Sequence, residues 1–308
     1  PAIRLAENGF PVGQRLHALL QADPYLRSDP SAAAYFYDGN GQAVAIGSTL
    51  RNRELADVLR RIAGEGSRAL HEGAIAQAIV DKVRSHPDNP GQLRMSDLAG
   101  YQPKRRTPFC SSYAPHRVEP PRSYVICGFP PPSSGAIAVA QILGILDDTD
   151  ARSLPLADPL WMHYYTEASR LAFADRARYV ADPDFVAAPA GSWYSLIGTE
   201  YLASRARLIG PRSLGSARPG VPAAATTTQA SMPEQIEHGT SHLSIVDGYG
   251  NALAMTTTIE DAFGARQMVK GFLLNNQLSD FSFAPRDDNG EPIANRVEPG
   301  KRPRSSMR

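Results

Sequence analysis

TSHLSIVDGYGNALAMTTT, residues 240–258, is the stretch of sequence that decides the fold. Residues 242–247 alternate apolar and polar side chains, and residues 252–258 alternate again. The intervening Gly248, Gly250 and Asn251 are typical of a tight turn. The stretch therefore predicts a β-hairpin, with Thr240 immediately before its first strand and Thr258 at the end of its second.

The residues just before the hairpin favour a specific chemistry. A cut between Gly239 and Thr240 leaves Thr240 with a hydroxyl nucleophile and a free α-amine. The reference pKa of an α-amine is about 7.7–8.0, so it can serve as the general base that a weak hydroxyl nucleophile needs. Glycine tolerates the strained backbone that attack on its own carbonyl requires. A Gly-Thr pair before a strand is usually only a turn, so this pair alone is a weak signal for catalysis.

Outside the hairpin the chain predicts a mixture of helices and strands. The segment 212–239 is rich in Gly, Pro, Ala, Thr and Ser without periodicity, and we interpret it as a flexible connector. Cys110 and Cys127 lie in strand-like sequence and allow either one disulfide or two buried thiols, of which the thiols are favoured. Apolar periodicity predicts helices over 15–22, 52–63, 74–83 and 160–180, with Asn52 as the N-cap of the second. It also predicts a further helix starting near Ser96, and strands over 43–46 and 271–274.

Composition excludes several classes of protein. Of 308 residues, 42% are hydrophobic and 20% charged, and the net charge of +1 lacks the basic excess of a nucleic-acid binder. No apolar run is long enough to span a membrane. The sequence has no phosphate-binding loop, dinucleotide fingerprint, nucleophile elbow or zinc-binding helix motif. We therefore expect no nucleic-acid partner and no membrane span.

Five separated segments resemble the γ-glutamyltranspeptidase family, and they occur in that family's order. The hairpin residues 240–252 with Phe263-Gly264 resemble the start of its small subunit. LLNNQLSDFS (273–282) is similar to its substrate-binding segment, and KRPRSSM (301–307) to its paired-serine motif. PPPSSG (130–135), and ADR (174–176) with DPDF (182–185), resemble large-subunit markers.

The resemblance implies an N-terminal-nucleophile hydrolase of the α+β class, a four-layer αββα sandwich that we expect to be incomplete at both ends of this chain. It implies a proenzyme that cuts itself between Gly239 and Thr240. Residues 1–239 would then belong to a large subunit and residues 240–308 to a small one, and the two would stay paired. The implied substrates are a γ-glutamyl donor such as glutathione and an acceptor, either water or an amino acid or peptide. No cofactor and no metal are implied, and the implied location is the periplasm or the cell exterior, with no signal in this chain.

The resemblance also carries catalytic roles onto this sequence. Thr240 is expected to be the nucleophile and its α-amine the base. Thr258 matches a threonine whose hydroxyl contacts the nucleophile, although the run of threonines at 256–258 is also explained by β-propensity.

The same comparison predicts the substrate contacts. Asp280 is expected to bind the α-amine of the donor, because a carboxylate complements an ammonium in a partly closed pocket. Gln277 is expected to help bind the same head group. Ser305 and Ser306 are expected to bind its α-carboxylate. Glu260 is expected at the same head group, where many family members carry an asparagine.

Glu260 and the ends of the chain leave alternatives open. A carboxylate at 260 would repel an α-carboxylate, so an acylase acting on glutaryl-type amides is the second hypothesis. Ser279 replaces the first of two acids often found before the phenylalanine. The family's substrate-binding arginine and its oxyanion-hole glycine pair have no counterpart within the chain, so we expect the chain to be a fragment of a longer proenzyme. The third hypothesis is an uncleaved, non-catalytic binding relative that retains the pocket.

Two further segments receive structural interpretations. We expect Ser133 and Ser134, after the triple proline, to form a rigid loop that caps an apolar helix. Asp175 and Arg176 are expected to be an exposed or semi-buried charge pair on the long helix.

Overall fold

A computed structural model describes residues 1–115, 121–223, 225, 229–235 and 240–305. The chain is of the α+β class and divides into two compact units. Unit 1 comprises Pro1–Lys104 and His238–Asn276, and unit 2 comprises Arg105–Glu237 and Gln277–Arg308. Each unit is therefore built from two separated parts of the chain.

The helices follow the predicted order closely. Single turns of 3₁₀-helix also occur, one of them at Gln277–Asp280. The α-helices are α1 (Ala2–Asn8), α2 (Gln14–Ala22), α3 (Pro30–Phe36), α4 (Arg53–Glu65), α5 (Arg68–His71), α6 (Gly73–Arg84), α7 (Met95–Ala99), α8 (Gly135–Asp147), α9 (Pro159–Tyr179) and α10 (Thr199–Ala206).

The strands described pair only as antiparallel ladders of two. They are β1 (Phe10–Pro11) with β2 (Thr49–Leu50), β3 (Phe109–Tyr113) with β4 (Tyr124–Gly128), β5 (Ser241–Val246) with β6 (Ala252–Thr257), and β7 (Met268–Val269) with β8 (Phe272–Leu273). The predicted hairpin is confirmed as β5 and β6. The predicted strand over 43–46 is wrong, because only Ala43 forms a bridge there, with Tyr37.

The core of unit 1 brings its two chain segments together. Leu20 and Phe36 pack in one buried cluster with Phe263 and Met268. Asn52 caps α4 as predicted, accepting the Leu55 N–H at 2.9 Å, and its side-chain amide donates to the Gly271 carbonyl at 2.7 Å. Gly271 has φ +81°, and a side chain there would overlap Asn52. Glycine is therefore required where the β7–β8 turn meets the start of α4.

The core of unit 2 is formed by α8, α9 and α10, and it encloses a buried carboxylate. Asp175 is fully buried and accepts hydrogen bonds from Gln141 Nε2 at 2.8 Å, Tyr201 Oη at 2.7 Å and Gly220 N at 2.7 Å. Arg205, also buried, lies 3.2 Å from it. Burial raises the pKa of the Asp175 carboxyl, and the Arg205 guanidinium opposes that rise.

The expectation of an exposed or semi-buried Asp175–Arg176 pair is therefore wrong. Both side chains are buried, and the ion-pair partner of Asp175 is Arg205. Arg176 instead donates to Ser134 Oγ at 2.8 Å. Neighbours on a helix point in different directions, so adjacent opposite charges are poorly placed to pair.

The described part of segment 212–239 has no helix or strand, in line with its lack of periodicity. It nevertheless makes specific contacts with α9. The Leu214 N–H donates to Glu167 Oε2 at 3.0 Å, and Tyr179 Oη donates to the Gly220 carbonyl at 2.6 Å. The Met232 N–H donates to the Ala177 carbonyl at 2.9 Å. These contacts anchor much of a segment that composition alone predicts to be mobile.

The two cysteines form a disulfide, which corrects the expectation of free thiols. Cys110 and Cys127 are directly opposed in the β3–β4 ladder, with their Cα atoms 4.1 Å apart. The cross-strand register brings them together, and that register is not visible in the spacing of the two residues.

Within the described residues, no helix combines the length and apolar character that crossing a bilayer requires.

Candidate active site

The β5–β6 hairpin positions Thr240. Ser241 is paired with Thr257 in the ladder, and Thr240 Oγ1 donates to the Thr257 carbonyl at 2.9 Å. At the other end of the hairpin, Asp247 Oδ1 accepts the Tyr249 and Asn251 N–H groups, each at 2.9 Å. The turn and the ladder together fix the register that places Thr240 beside the end of β6.

Thr240, Thr258 and Glu260 line one pocket of about 490 Å³ within unit 1. Thr258 Oγ1 accepts the Glu260 N–H at 2.8 Å, so the two threonine hydroxyls have separate backbone partners. Between these two described side chains no direct hydrogen bond is made, which differs from the contact that the family resemblance implies. The pocket is lined by Arg15, Leu19, Thr240, Ser241, Thr257, Thr258, Ile259, Glu260, Asp261 and Ala262.

Glu260 occupies an unusual turn in the pocket wall. Its φ is +74° and its side chain is buried. Asn276 holds this turn through both of its side-chain groups: Nδ2 donates to Glu260 Oε2, and Oδ1 accepts the Asp261 N–H at 3.0 Å. A positive φ costs a residue with a side chain about 1–3 kcal/mol, so it persists only where surrounding contacts enforce it.

Asp261 is held by an arginine that sequence reasoning missed. Arg266 donates from Nη2 to Asp261 Oδ2 at 2.6 Å and from Nε to Asp23 Oδ2 at 2.8 Å. Asp23 is itself fixed, because its Oδ1 accepts the Leu26 N–H at 2.7 Å. The signal available in the sequence was only an acid directly after Glu260. Its partner Arg266 follows five residues later, and the second partner of that arginine, Asp23, lies 243 residues away.

The remaining predicted substrate residues belong to unit 2. Gln277 and Asp280 begin and end one turn of 3₁₀-helix, and both are half-buried. The Asp280 carbonyl accepts from Asn295 Nδ2 at 2.7 Å, and the Ser279 carbonyl accepts from Gln235 Nε2 at 3.3 Å. These backbone contacts hold the turn that carries the Asp280 carboxylate.

Two of the motifs quoted above meet at Ser305. The Ser305 N–H donates to the Pro132 carbonyl at 3.0 Å, and Ser133 pairs with Ser305 in a parallel bridge. The Ser134 hydroxyl donates to the Ser305 carbonyl at 2.9 Å. Ser134 is the N-cap residue of α8 by position but does not cap it with its side chain, which corrects that expectation. Ser306 and Gly239 lie outside the described residues.

The described residues contain no group of three or more His, Cys, Asp or Glu side chains arranged to hold a metal ion.

Solved structures define the class of the fold. The chain superimposes on the Helicobacter pylori gamma-glutamyltranspeptidase with a TM-score of 0.64 and 30% identity, covering 74% of this chain and 63% of that one. It also superimposes on the cephalosporin acylase from Bacillus halodurans with a TM-score of 0.73 and 25% identity, covering 100% of this chain and 51% of that one. The predicted N-terminal-nucleophile hydrolase fold is thereby confirmed.

Sequence comparison identifies the family. Residues 1–308 match the gamma-glutamyltranspeptidase family model, and the chain belongs to that family. It is 35% identical over 315 residues to the glutathione hydrolase proenzyme of Escherichia coli K12, covering 100% of this chain and 50% of that protein. It is 33% identical over 310 residues to the acylase ACY 1 proenzyme of Pseudomonas sp. strain V22, covering 100% of this chain and 50% of that protein. The chain thus spans about half the length of these relatives.

Proposed function

We propose that the protein containing this chain is a γ-glutamyl transferase and hydrolase. It would cleave γ-glutamyl amides such as glutathione through a γ-glutamyl–threonine ester on Thr240. The observation that carries the proposal is the shared pocket of Thr240, Thr258 and Glu260, in a chain of the gamma-glutamyltranspeptidase family.

Maturation would come first. The Thr240 hydroxyl attacks the Gly239 carbonyl and the peptide C–N bond breaks, which frees the Thr240 α-amine and leaves Gly239 as an ester on the Thr240 oxygen. Water then hydrolyses this ester, which restores the Thr240 hydroxyl and leaves a carboxylate on Gly239. Residues 1–239 and 240–308 then belong to separate, paired subunits. The β5–β6 ladder supports this step, because it keeps Thr240 in the pocket wall after the chain is cut.

The free α-amine of Thr240 would then act as the general base in catalysis. This α-amine takes the proton of the Thr240 hydroxyl as the oxygen attacks the γ-carbonyl carbon of the donor, and the proton then passes to the amine that departs from the substrate. Water or the amine of an acceptor then attacks the ester carbonyl, which releases glutamate or a new γ-glutamyl amide and restores the hydroxyl. Thr258 would support the nucleophile from the same pocket.

The donor head group would be held by polar side chains. Asp280 and Gln277 would bind its α-amine, with Glu260 assisting, and Ser305 and Ser306 would donate to its α-carboxylate. The half-buried position of Asp280 supports this role, because a carboxylate is a stronger partner for an ammonium when water is partly excluded.

A glutaryl-type acylase is the second candidate, because Glu260 is buried and already hydrogen-bonded to Asn276.

For location, we propose the periplasm or the cell exterior. The Cys110–Cys127 disulfide supports an oxidising compartment.

The test of the proposal uses the full-length gene. Thr240→Ala should block both chain cleavage, read on a denaturing gel, and turnover of γ-glutamyl-4-nitroanilide. Thr240→Ser should retain part of each, and the matched control Thr49→Ala, an exposed threonine on β2, should behave as the unaltered protein. Efficient cleavage of the Thr240→Ala protein contradicts the assignment, and one uncleaved band for the unaltered protein favours a non-catalytic relative.

Substrate class is decided by a second comparison. Asp280→Asn should lower kcat/KM for the γ-glutamyl anilide roughly tenfold to a hundredfold, because a hydrogen bond to a charged group contributes about 1.5–3 kcal/mol. Glutaryl-4-nitroanilide has no α-amine and should be affected much less. Asp288→Asn, an exposed neighbour, is the control. Equal losses on both substrates favour the acylase.

A further inference from the structure

Arg15 lies on the wall of the pocket that contains Thr240. It is in the first turn of α2, and Leu19, four residues later on the same face, lines the pocket with it. The Arg15 side chain is exposed, and it makes no hydrogen bond or ion pair with any residue that the structure describes. Its charge is therefore available to a molecule in the pocket.

The other charged residues of the pocket wall are already engaged. Asp261 is paired with Arg266 at 2.6 Å, and Glu260 accepts a hydrogen bond from Asn276. A guanidinium presents a planar set of N–H donors that matches a carboxylate, and binding one costs less when no protein partner must first be displaced. Arg15 is therefore the charged residue of the pocket wall that is left to bind a ligand, and its guanidinium is suited to a carboxylate.

We propose that Arg15 binds the carboxylate on the far side of the scissile amide. In hydrolysis this is the terminal carboxylate of the departing peptide, and in transfer it is the carboxylate of the acceptor amino acid or dipeptide. The inference rests on the proposed function, which assigns the donor's own α-carboxylate to Ser305 and Ser306. Arg15 is accordingly a specificity-determining residue for the acceptor.

The experiment compares two acceptors that differ only in this carboxylate. The full-length mature protein transfers the γ-glutamyl group from γ-glutamyl-4-nitroanilide to glycylglycine or to glycylglycinamide. Arg15→Gln should lower the ratio of kcat/KM for glycylglycine to kcat/KM for the amide roughly 1.5- to fivefold, the range of a solvent-exposed charge pair. Arg15→Lys should retain most of the ratio, and added salt should reduce the preference of the unaltered protein.

Arg4→Gln is the matched control, because Arg4 is an exposed arginine on α1 and does not line the pocket. It should keep the ratio of the unaltered protein. A ratio that stays the same in Arg15→Gln overturns the proposal, and so does a loss that is equal for the two acceptors.

A second measurement separates this inference from the proposed function. Ligand-observed NMR gives the affinity of glycylglycine and of glycylglycinamide without any donor or turnover. Weaker binding of glycylglycine alone to the Arg15→Gln protein supports the inference, and unchanged binding overturns it. Absence of anilide turnover in the unaltered protein counts against the proposed function, while the NMR comparison still decides the role of Arg15.

Discussion

Asn276 donates a side-chain N–H to the buried Glu260 carboxylate, and with its side-chain oxygen it accepts the neighbouring Asp261 N–H at 3.0 Å. The Asn276 backbone N–H also donates to the Ile259 carbonyl at 3.3 Å. One asparagine thus holds three consecutive residues of the pocket wall, including Glu260 at its positive φ. The orientation of the Glu260 carboxylate depends on this clamp.

Asn276→Ala should disorder the Glu260 turn, because it removes a side-chain donor and a side-chain acceptor that hold the strained backbone. We expect kcat/KM for γ-glutamyl-4-nitroanilide to fall roughly tenfold in the full-length protein. Asn276→Gln, which keeps both groups on a longer side chain, should recover only part of this loss. Asn40→Ala, in an exposed turn of unit 1, is the control. Unchanged kinetics in Asn276→Ala would show that the clamp has no functional role.

Arg205→Leu should be strongly destabilising, because it leaves the Asp175 carboxylate buried without its cation. Breaking a buried pair in this way costs about 3–5 kcal/mol, which is measurable as a lower urea midpoint. Arg207→Leu alters an exposed arginine at the end of the same helix and should change the free energy of unfolding by less than about 0.5 kcal/mol. Similar midpoints for the two variants would contradict the structural role of the pair.

Peptide mapping under non-reducing conditions should recover Cys110 and Cys127 in one linked peptide. The bridge closes a separation of 17 residues, so replacing both cysteines by serine should lower the free energy of unfolding by about 3 kcal/mol. Reduction of the unaltered protein should have a similar effect. Two alkylated cysteines in protein that has never been reduced would restore the expectation of free thiols.

The hairpin turn should weaken in acid. The Asn251 side-chain amide and then the turn N–H groups lower the pKa of Asp247 from its ordinary value of 3.8. Because the pKa is lower in the folded state, the stabilisation is present above pH 3.8 and is lost as the pH falls through the folded value.

An NMR titration of the Asp247 carboxyl measures this directly. In Asn251→Ala the pKa should move back toward the ordinary value, since the largest contribution to the shift has been removed. A midpoint at the ordinary value in the unaltered protein would show that the turn hydrogen bonds do not persist in solution.

The sequence by itself determined the local elements of this protein. The helix over 52–63 with Asn52 as its cap, the long helix over 160–180, and the hairpin at residues 240–258 are all confirmed, with shifts of a few residues at their ends. These elements are visible because side-chain periodicity and turn residues act within a few positions along the chain. The family, too, was recognisable from short motifs in order.

Only the tertiary structure decided which distant residues meet. Arg15 and Thr240 line one pocket, Arg266 holds Asp23 across 243 residues, and Cys127 lies opposite Cys110. Asp175 is buried with Arg205 rather than exposed beside Arg176. Such pairings depend on how buried surfaces pack, and on which charges must find partners once water is removed. No local pattern in the sequence encodes either of these.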